Sequence, residues 1–207
     1  MRLKDRATIK IESIAFGGEG VGRIDNFVVF VPFAAPDDEL EIEITQQKKK
    51  FVRGKILKII KPSPVRVIPL CRYYENCGGC CYQHIKYEHQ LKIKKKQVHE
   101  AFWKIGKIAS PPVLEPIAAP KVYHYRGKGQ YHAEAVPNGW KIGFLDISGG
   151  TLVDIERCEI MEETINEKMR SLKGNKQLRR NMEKRLTIWS DFFADQASKK
   201  ESFVRVV

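Results

Sequence analysis

Cys71-Arg72-Tyr73-Tyr74-Glu75-Asn76-Cys77-Gly78-Gly79-Cys80 sets three cysteines at C-x5-C-x2-C in one run of ten residues. A fourth, Cys158, comes much later, directly after an apolar stretch. Three thiolates in one loop and one distant thiolate is the way a chain wraps a four-coordinate soft centre. Gly78 and Gly79 let the backbone turn tightly around an inorganic core. Zinc is the rival ligand, and it favours paired C-x2-C knuckles or Cys/His mixtures. His84 and His89 are near, but no second knuckle accompanies Cys158. An iron–sulfur cluster therefore ranks above zinc for Cys71, Cys77, Cys80 and Cys158. Cys81 adjoins a ligand and is read as a bystander thiol. The chain opens Met1-Arg2-Leu3-Lys4-Asp5-Arg6 with no apolar leader, so a cytoplasmic location is expected and disulfides are not.

Upstream of the loop, residues 7–14 alternate polar and apolar as a half-buried strand does. Phe27-Val28-Val29-Phe30-Val31 is β-branched and aromatic, and Pro32 stops it. Leu40-Glu41-Ile42-Glu43-Ile44 alternates strictly, and a fourth strand spans 51–60 with a pivot at Gly54. Gln46-Gln47-Lys48-Lys49-Lys50 joins the last two as a hairpin. Short strands at this spacing predict a small OB-like β-barrel over 1–62. Gly17-Gly18-Glu19-Gly20-Val21-Gly22-Arg23 resembles a phosphate loop, but a strand rather than a helix follows it. It is expected to be a flexible connection. The prolines of Lys61-Pro62-Ser63-Pro64-Val65-Arg66 predict an extended linker.

Downstream, Leu91, Val98, Phe102 and Ile105 recur at helical spacing over 87–105, with Gly106 as a C-cap. That helix should bury one apolar face and show a lysine-rich one. An antiparallel meander is expected at 126–134, 141–145 and 152–155, with turns at Pro137-Asn138-Gly139 and Ser148-Gly149-Gly150. A helix follows over 162–172, then strands at 186–189 and 203–207. The second strand runs to the last residue, from which a piece of something longer is expected. The fold class is α+β, a barrel at 1–62 and a cysteine-bearing domain at 63–207.

The 207 residues are 43% hydrophobic, a globular proportion, and carry a formal net charge of +12, which favours a polyanionic partner. No run approaches the length of a membrane span, so no membrane role is expected. Between Lys48 and Lys61 lie seven basic residues and no acidic one. Between Lys86 and Lys107 lie seven lysines against Glu88 and Glu100. Two basic clusters bracketing a cysteine loop point to nucleic acid rather than to an electron-transfer partner. No obligate protein partner is called for.

With these residues in place, the chain resembles the RNA (uracil-5-)-methyltransferase family, and most closely its iron–sulfur members acting on large-subunit ribosomal RNA. Residues 6–61 are similar to that family's TRAM domain. The segment from Cys71 to His84, C-x5-CGGC-x2-QH, is similar to its cluster-binding loop. Tyr125-Arg126-Gly127-Lys128 resembles a Tyr-Arg-Asn-Lys motif, with Gly127 where the family has Asn, which puts any role of that amide in doubt. Val153-Asp154-Ile155-Glu156-Arg157-Cys158 resembles the strand delivering the fourth ligand.

The resemblance implies a 4Fe-4S cluster on those four cysteines, and 5-methyluridine as the product in ribosomal RNA. In the family a cysteine thiolate adds to carbon 6 of uracil, and carbon 5 then takes the methyl group of S-adenosylmethionine. That cysteine, the base and the cofactor site lie in a C-terminal Rossmann-like domain, which this chain stops before. S-adenosylmethionine is thus expected only there, and the 207 residues alone are expected to be inactive. The alternative is a stand-alone RNA-binding module with a structural iron–sulfur or zinc site.

Contacts to RNA are expected from Lys48, Lys49, Lys50, Arg53 and Lys55 on the barrel. Lys92, Lys95 and Lys96 would add to them from the helix, and Arg126 and Lys128 from the motif. Gln83 and His84 would either meet a base or sugar or support the cluster. Tyr73, Tyr74 and Tyr82 would either cover the metal site or stack on bases.

Overall fold

The computed structural model describes residues 2–25, 27–174, 185–190 and 202–206. They form two compact units. The first takes in Met1–Pro69 and Cys81–Ala118, the second Leu70–Cys80 and Ala119–Val207. This differs from the expected 1–62 and 63–207, because the segment after the last barrel strand is tied back to the barrel and the cysteine loop is not.

In the first unit, β1 (Arg6–Lys10), β2 (Ser13–Ile14), β3 (Gly20–Ile24), β4 (Phe27–Val31), β5 (Glu39–Gln47) and β6 (Phe51–Lys61) form one sheet in the order β1-β5-β6-β4-β3-β2. All pairings are antiparallel except β4 with β6. Alternate residues Ile9, Ile11, Val29, Val31, Leu40, Ile42, Ile44 and Val52 are buried together, the period-2 pattern of strands with one face inward. The β5–β6 register slips between Ile44 and Gln46, opposite Gly54 and Arg53, so a bulge sits where the pivot was expected.

Three expectations need correction. Gly20, Gly22 and Arg23 belong to β3 rather than to a flexible loop, and a Cβ on Gly22 would lie 2.4 Å from the Lys10 carbonyl oxygen. The close approach of β1 to β3 therefore requires glycine there. Gln46 and Gln47 lie in β5, leaving Lys48, Lys49 and Lys50 as the turn. The 61–66 segment is no free linker. Fully buried Asp38 accepts from the amides of Ala35 (2.6 Å) and Ser63 (2.8 Å), and from Arg66 Nε (2.8 Å) and Nη2 (2.7 Å).

Helix α1 (Tyr87–Lys104) forms where predicted, but not with the predicted face. Val98, Phe102 and Ile105 are exposed, and no residue of α1 is fully buried. Ile93 packs on the barrel core instead, flanked by two glutamines. Gln90 Nε2 donates to the carbonyls of Tyr82 (3.1 Å) and Ile85 (2.8 Å). Gln97 Nε2 donates to those of Ile14 (3.1 Å) and Ala15 (2.9 Å) and to Tyr82 Oη (3.0 Å). Positions 90, 93 and 97 share one helix face, and polar docking satisfies backbone carbonyls that the sheet leaves over. The helix closes on Ile105 rather than Gly106.

In the second unit, β7 (Lys128–Val136), β8 (Gly139–Leu145) and β9 (Leu152–Asp154) make the predicted meander. Strands β10 (Arg185–Ser190) and β11 (Ser202–Val206) extend it to the order β11-β10-β7-β8-β9. Helix α2 (Glu163–Lys173) lays Ile165, Met169 and Leu172 on the sheet beside Tyr131, Ile142 and Leu186. No helix among the described residues is long and apolar enough to cross a membrane.

Candidate metal centre and nucleic-acid interface

All four expected ligands fall in the second unit, and Cys81 falls in the first. The cysteine loop is fixed to the meander by backbone bonds. Tyr74 N donates to Cys71 O (3.1 Å) and Cys77 N to Tyr73 O (2.8 Å), closing a turn. Gly78 N donates to Leu145 O (2.9 Å), and Cys77 bridges Asp146. Tyr73 lies against the second core, and its hydroxyl accepts from the Glu156 amide (2.9 Å). Tyr73 is thus held against the protein by packing and by its hydroxyl. Tyr82 is likewise committed, to Gln97 and the barrel core.

Cys158 is held from both sides by one residue. Fully buried Asn166 of α2 accepts from Cys158 N (2.9 Å) and donates to Cys158 O (3.1 Å). The segment just beyond is pinned in turn, with Arg126 N donating to Ile160 O (2.9 Å) and His124 N to Glu159 O (3.0 Å). The Tyr125–Lys128 motif thus buttresses the strand of the fourth cysteine. A lone Asn in an amphipathic helix gives no sign of such a role, and sequence reading missed it.

The sulfurs sit among amide donors. Amides of Tyr73 and Tyr74 point to the Cys71 sulfur, that of Gly79 to Cys77, and those of Ile160 and Met161 to Cys158. Such donors favour thiolate over thiol. Burial opposes them and wins. It pushes the thiols of Cys71 and Cys77 up and that of Cys158 up to about 11, with like charge on the neighbouring cysteines adding to the push. Burial and the Cys158 charge also raise Tyr131, whose buried hydroxyl has no hydrogen-bond partner among the described residues. Cys71, Cys77 and Cys158, each supplied with amide donors and each raised further by charge on neighbouring cysteines, are soft donors of the kind a thiophilic centre takes. A bound cation reverses the balance, since coordinating thiols are deprotonated outright. Among the described residues, no three His, Cys, Asp or Glu side chains stand close enough to hold a single metal ion.

The expected RNA contacts divide. Lys48, Lys49 and Lys50 are exposed on the β5–β6 turn, and Lys92, Lys96, Arg126 and Lys128 are exposed on their elements. Others are engaged within the protein. Arg53 meets Glu19 through Nε (2.9 Å) and Nη2 (3.2 Å), donates to Gln46, and lies over the rings of Phe30 and Phe51. Lys55 pairs with Glu43 (3.0 Å) and Lys95 with Glu115.

Gln83 and His84 belong to the first unit, and the 71–80 cysteine loop to the second. His84 is 1% exposed, packed edge-on against Phe33. A buried ring cannot reach a base, so its expected RNA contact is corrected to a core role.

A profile of the TRAM domain matches residues 5–57. An uncharacterised RNA methyltransferase of Clostridium acetobutylicum is 37% identical over 161 residues, 77% of this chain and 35% of that protein. One from Aquifex aeolicus is 34% identical over 166 residues, 80% of this chain and 38% of that protein. The chain spans a little over a third of the length of these relatives. The crystal structure of the Pyrococcus abyssi tRNA (uracil-54, C5)-methyltransferase in complex with S-adenosyl-L-homocysteine shares its fold, with a TM-score of 0.62 at 22% identity, over 95% of this chain and 44% of that one. The chain carries a TRAM domain at its N-terminus, and its relatives in sequence are proteins named as RNA methyltransferases.

Proposed function

We propose that these 207 residues are the RNA-recognition and cluster-bearing part of an S-adenosylmethionine-dependent RNA (uracil-5-)-methyltransferase that makes 5-methyluridine in ribosomal RNA. The observation that carries this is the sequence relationship, which runs through the TRAM domain and beyond it over about four-fifths of the chain. Cofactor binding and methyl transfer are assigned to the part of the relatives that this chain does not span. The barrel and α1 supply phosphate contacts through their exposed lysines, which position an RNA without reading its sequence. Cys71, Cys77, Cys80 and Cys158 hold a 4Fe-4S cluster. When bound, the cluster ties the 71–80 loop to the end of the meander and neutralises the strain of four clustered thiols. The amides at the Cys71, Cys77 and Cys158 sulfurs favour the ligating form, and Asn166 fixes where Cys158 stands.

Anaerobically purified protein tests the reading. It should be brown, with about four irons and as many acid-labile sulfides per chain, and Cys158→Ser should abolish the colour while Cys81→Ser leaves it. It should bind an unmodified large-subunit ribosomal RNA transcript more tightly than a tRNA transcript, and calorimetry should detect no S-adenosylmethionine binding. Stoichiometric zinc without sulfide overturns the cluster. Equal affinity for the tRNA overturns the ribosomal target.

A further inference from the structure

The most exposed aromatic side chain of the first unit is Phe16, at 95% exposure. A large apolar ring in water is common on loose loops and means little there. The turn that carries Phe16 is not loose. Ala15 N donates to Glu19 O (2.8 Å) and Gly18 N to Ala15 O (3.0 Å), closing residues 15–19 into a hydrogen-bonded turn. Gly17 and Gly18 take φ of +100° and +95°, which only glycine adopts without strain. A Cβ on Gly18 would lie 2.8 Å from that of Cys81, so the turn is packed from beneath. From the side, Gln97 holds the carbonyls of Ile14 and Ala15. The ring is thus held out on a braced support.

Cations are attached to the same turn on two sides. Glu19, its last residue, holds the Arg53 guanidinium, which stacks over Phe30 and Phe51. Gln97 also holds the Tyr82 hydroxyl, and the Lys94 ammonium lies 5.9 Å from the Tyr82 ring. An exposed ring held out on a braced turn is the make-up of a stacking platform for an unpaired base, and the exposed lysines of the β5–β6 turn in the same unit supply charge for a nucleic-acid backbone. A protein partner would be met by a wider apolar surface, and the residues tied to this turn are charged or amide side chains.

We infer that Phe16 stacks on an unpaired base of single-stranded RNA. The inference rests on the RNA-binding reading above and gives it a contact point that the lysine turn cannot supply. Stacking needs a free base face, so the contact distinguishes single strands from duplex.

Filter binding of the 207-residue protein to a short oligouridylate and to a short RNA duplex, over a range of salt, tests it. Phe16→Ala should weaken oligouridylate binding about 5- to 100-fold, leave duplex binding unchanged, and leave the salt slope unchanged, since no phosphate contact is lost. Phe16→Trp should restore the affinity. Replacing Lys48, Lys49 and Lys50 together should weaken both RNAs and flatten the slope. If the protein binds oligouridylate and Phe16→Ala binds it equally well, the inference is wrong and the RNA-binding reading stands. Binding of neither RNA overturns both. A Phe16→Ala defect equal on strand and duplex, or unrelieved by Phe16→Trp, overturns stacking.

Discussion

Asp38 and Asn166 are completely buried polar side chains, one in each unit, and each clamps backbone from a distant segment. Asp38 is charged and is answered in full by the protein itself, with two amides and a guanidinium converging on its two oxygens. Asn166 is neutral, and the residue it clamps, Cys158, has a thiol that burial raises to about 11. At Asp38 the first unit answers a buried acid with its own groups. The second fixes the backbone around Cys158 and supplies amide donors to three of its cysteine sulfurs, an environment that in the proposal serves a cluster.

The largest effect separating the two units is expected at the ion pair. Asp38→Ala strands a guanidinium and two buried amides. Removing one partner of a buried pair costs about 3–5 kcal/mol. Denaturant unfolding of metal-free protein should show this loss. Unchanged stability would mean that water replaces the carboxylate and that the 61–66 segment is held by other contacts.

Next in size is a pH effect confined to the first unit. Burial lowers the His84 pKa from 6.5 to about 4, with the Arg66 charge acting in the same direction and the Ala34 backbone and Asp38 opposing. The neutral ring is the folded form, so the unfolded chain binds the extra proton between pH 6.5 and 4. Stability from this group is complete above 6.5 and is lost as pH falls toward 4, roughly 3 kcal/mol at the limit. His84→Gln should flatten that part of the stability profile. A profile that keeps its slope in the variant assigns the loss to carboxylates.

How much of this was legible in the residues follows the same division. Strands with a clear apolar signal, such as the β-branched and aromatic run of β4 and the strict alternation of Leu40, Ile42 and Ile44 in β5, appear where the sequence places them. β3 does not, because Gly20 and Gly22 lend it no apolar pattern; they serve by being small where Lys10 and Ile11 come close. The face of α1 was misread for the converse reason. Val98, Phe102 and Ile105 have the period of a buried stripe, yet docking is done by Gln90 and Gln97 through backbone carbonyls of Tyr82, Ile85, Ile14 and Ala15 that only the fold brings to the helix. The four cysteines were legible because their spacing is itself the signal. Asp38 and Asn166 were not, since a buried acid or amide has no pattern until the fold brings its partners.

Asn166 sharpens the contrast with a smaller expected cost. Asn166→Ala removes two hydrogen bonds and leaves the Cys158 amide without its partner, at about 1–3 kcal/mol, while the Cys158 carbonyl keeps the Met161 amide (3.1 Å). The loss should be well below that of Asp38→Ala, since no charge is stranded. Its second readout is iron retention on dilution into chelator under anaerobic conditions, which should be faster than in the parent protein. Equal retention would show that backbone amides alone position Cys158.

The smallest effect distinguishes two neighbouring glycines in the cysteine loop. Neither lies in the left-handed region, so space alone decides. A Cβ on Gly78 would stand 2.8 Å from the Asp146 carbonyl oxygen and 3.1 Å from that of Leu145, backbone atoms that cannot move aside without breaking the Cys77–Asp146 bridge. A Cβ on Gly79 would meet only the Cys77 sulfur, at 3.5 Å, an ordinary contact. Gly78→Ala should therefore destabilise metal-free, reduced protein by about 1–3 kcal/mol, as overpacking does. Gly79→Ala should stay within about 0.5 kcal/mol. The order should reverse for iron loading, because the added methyl of Gly79→Ala lies beside a proposed ligand and its amide donor to Cys77. If Gly79→Ala loads iron and sulfide as the parent does, the space beside the Cys77 sulfur is not where the cluster sits.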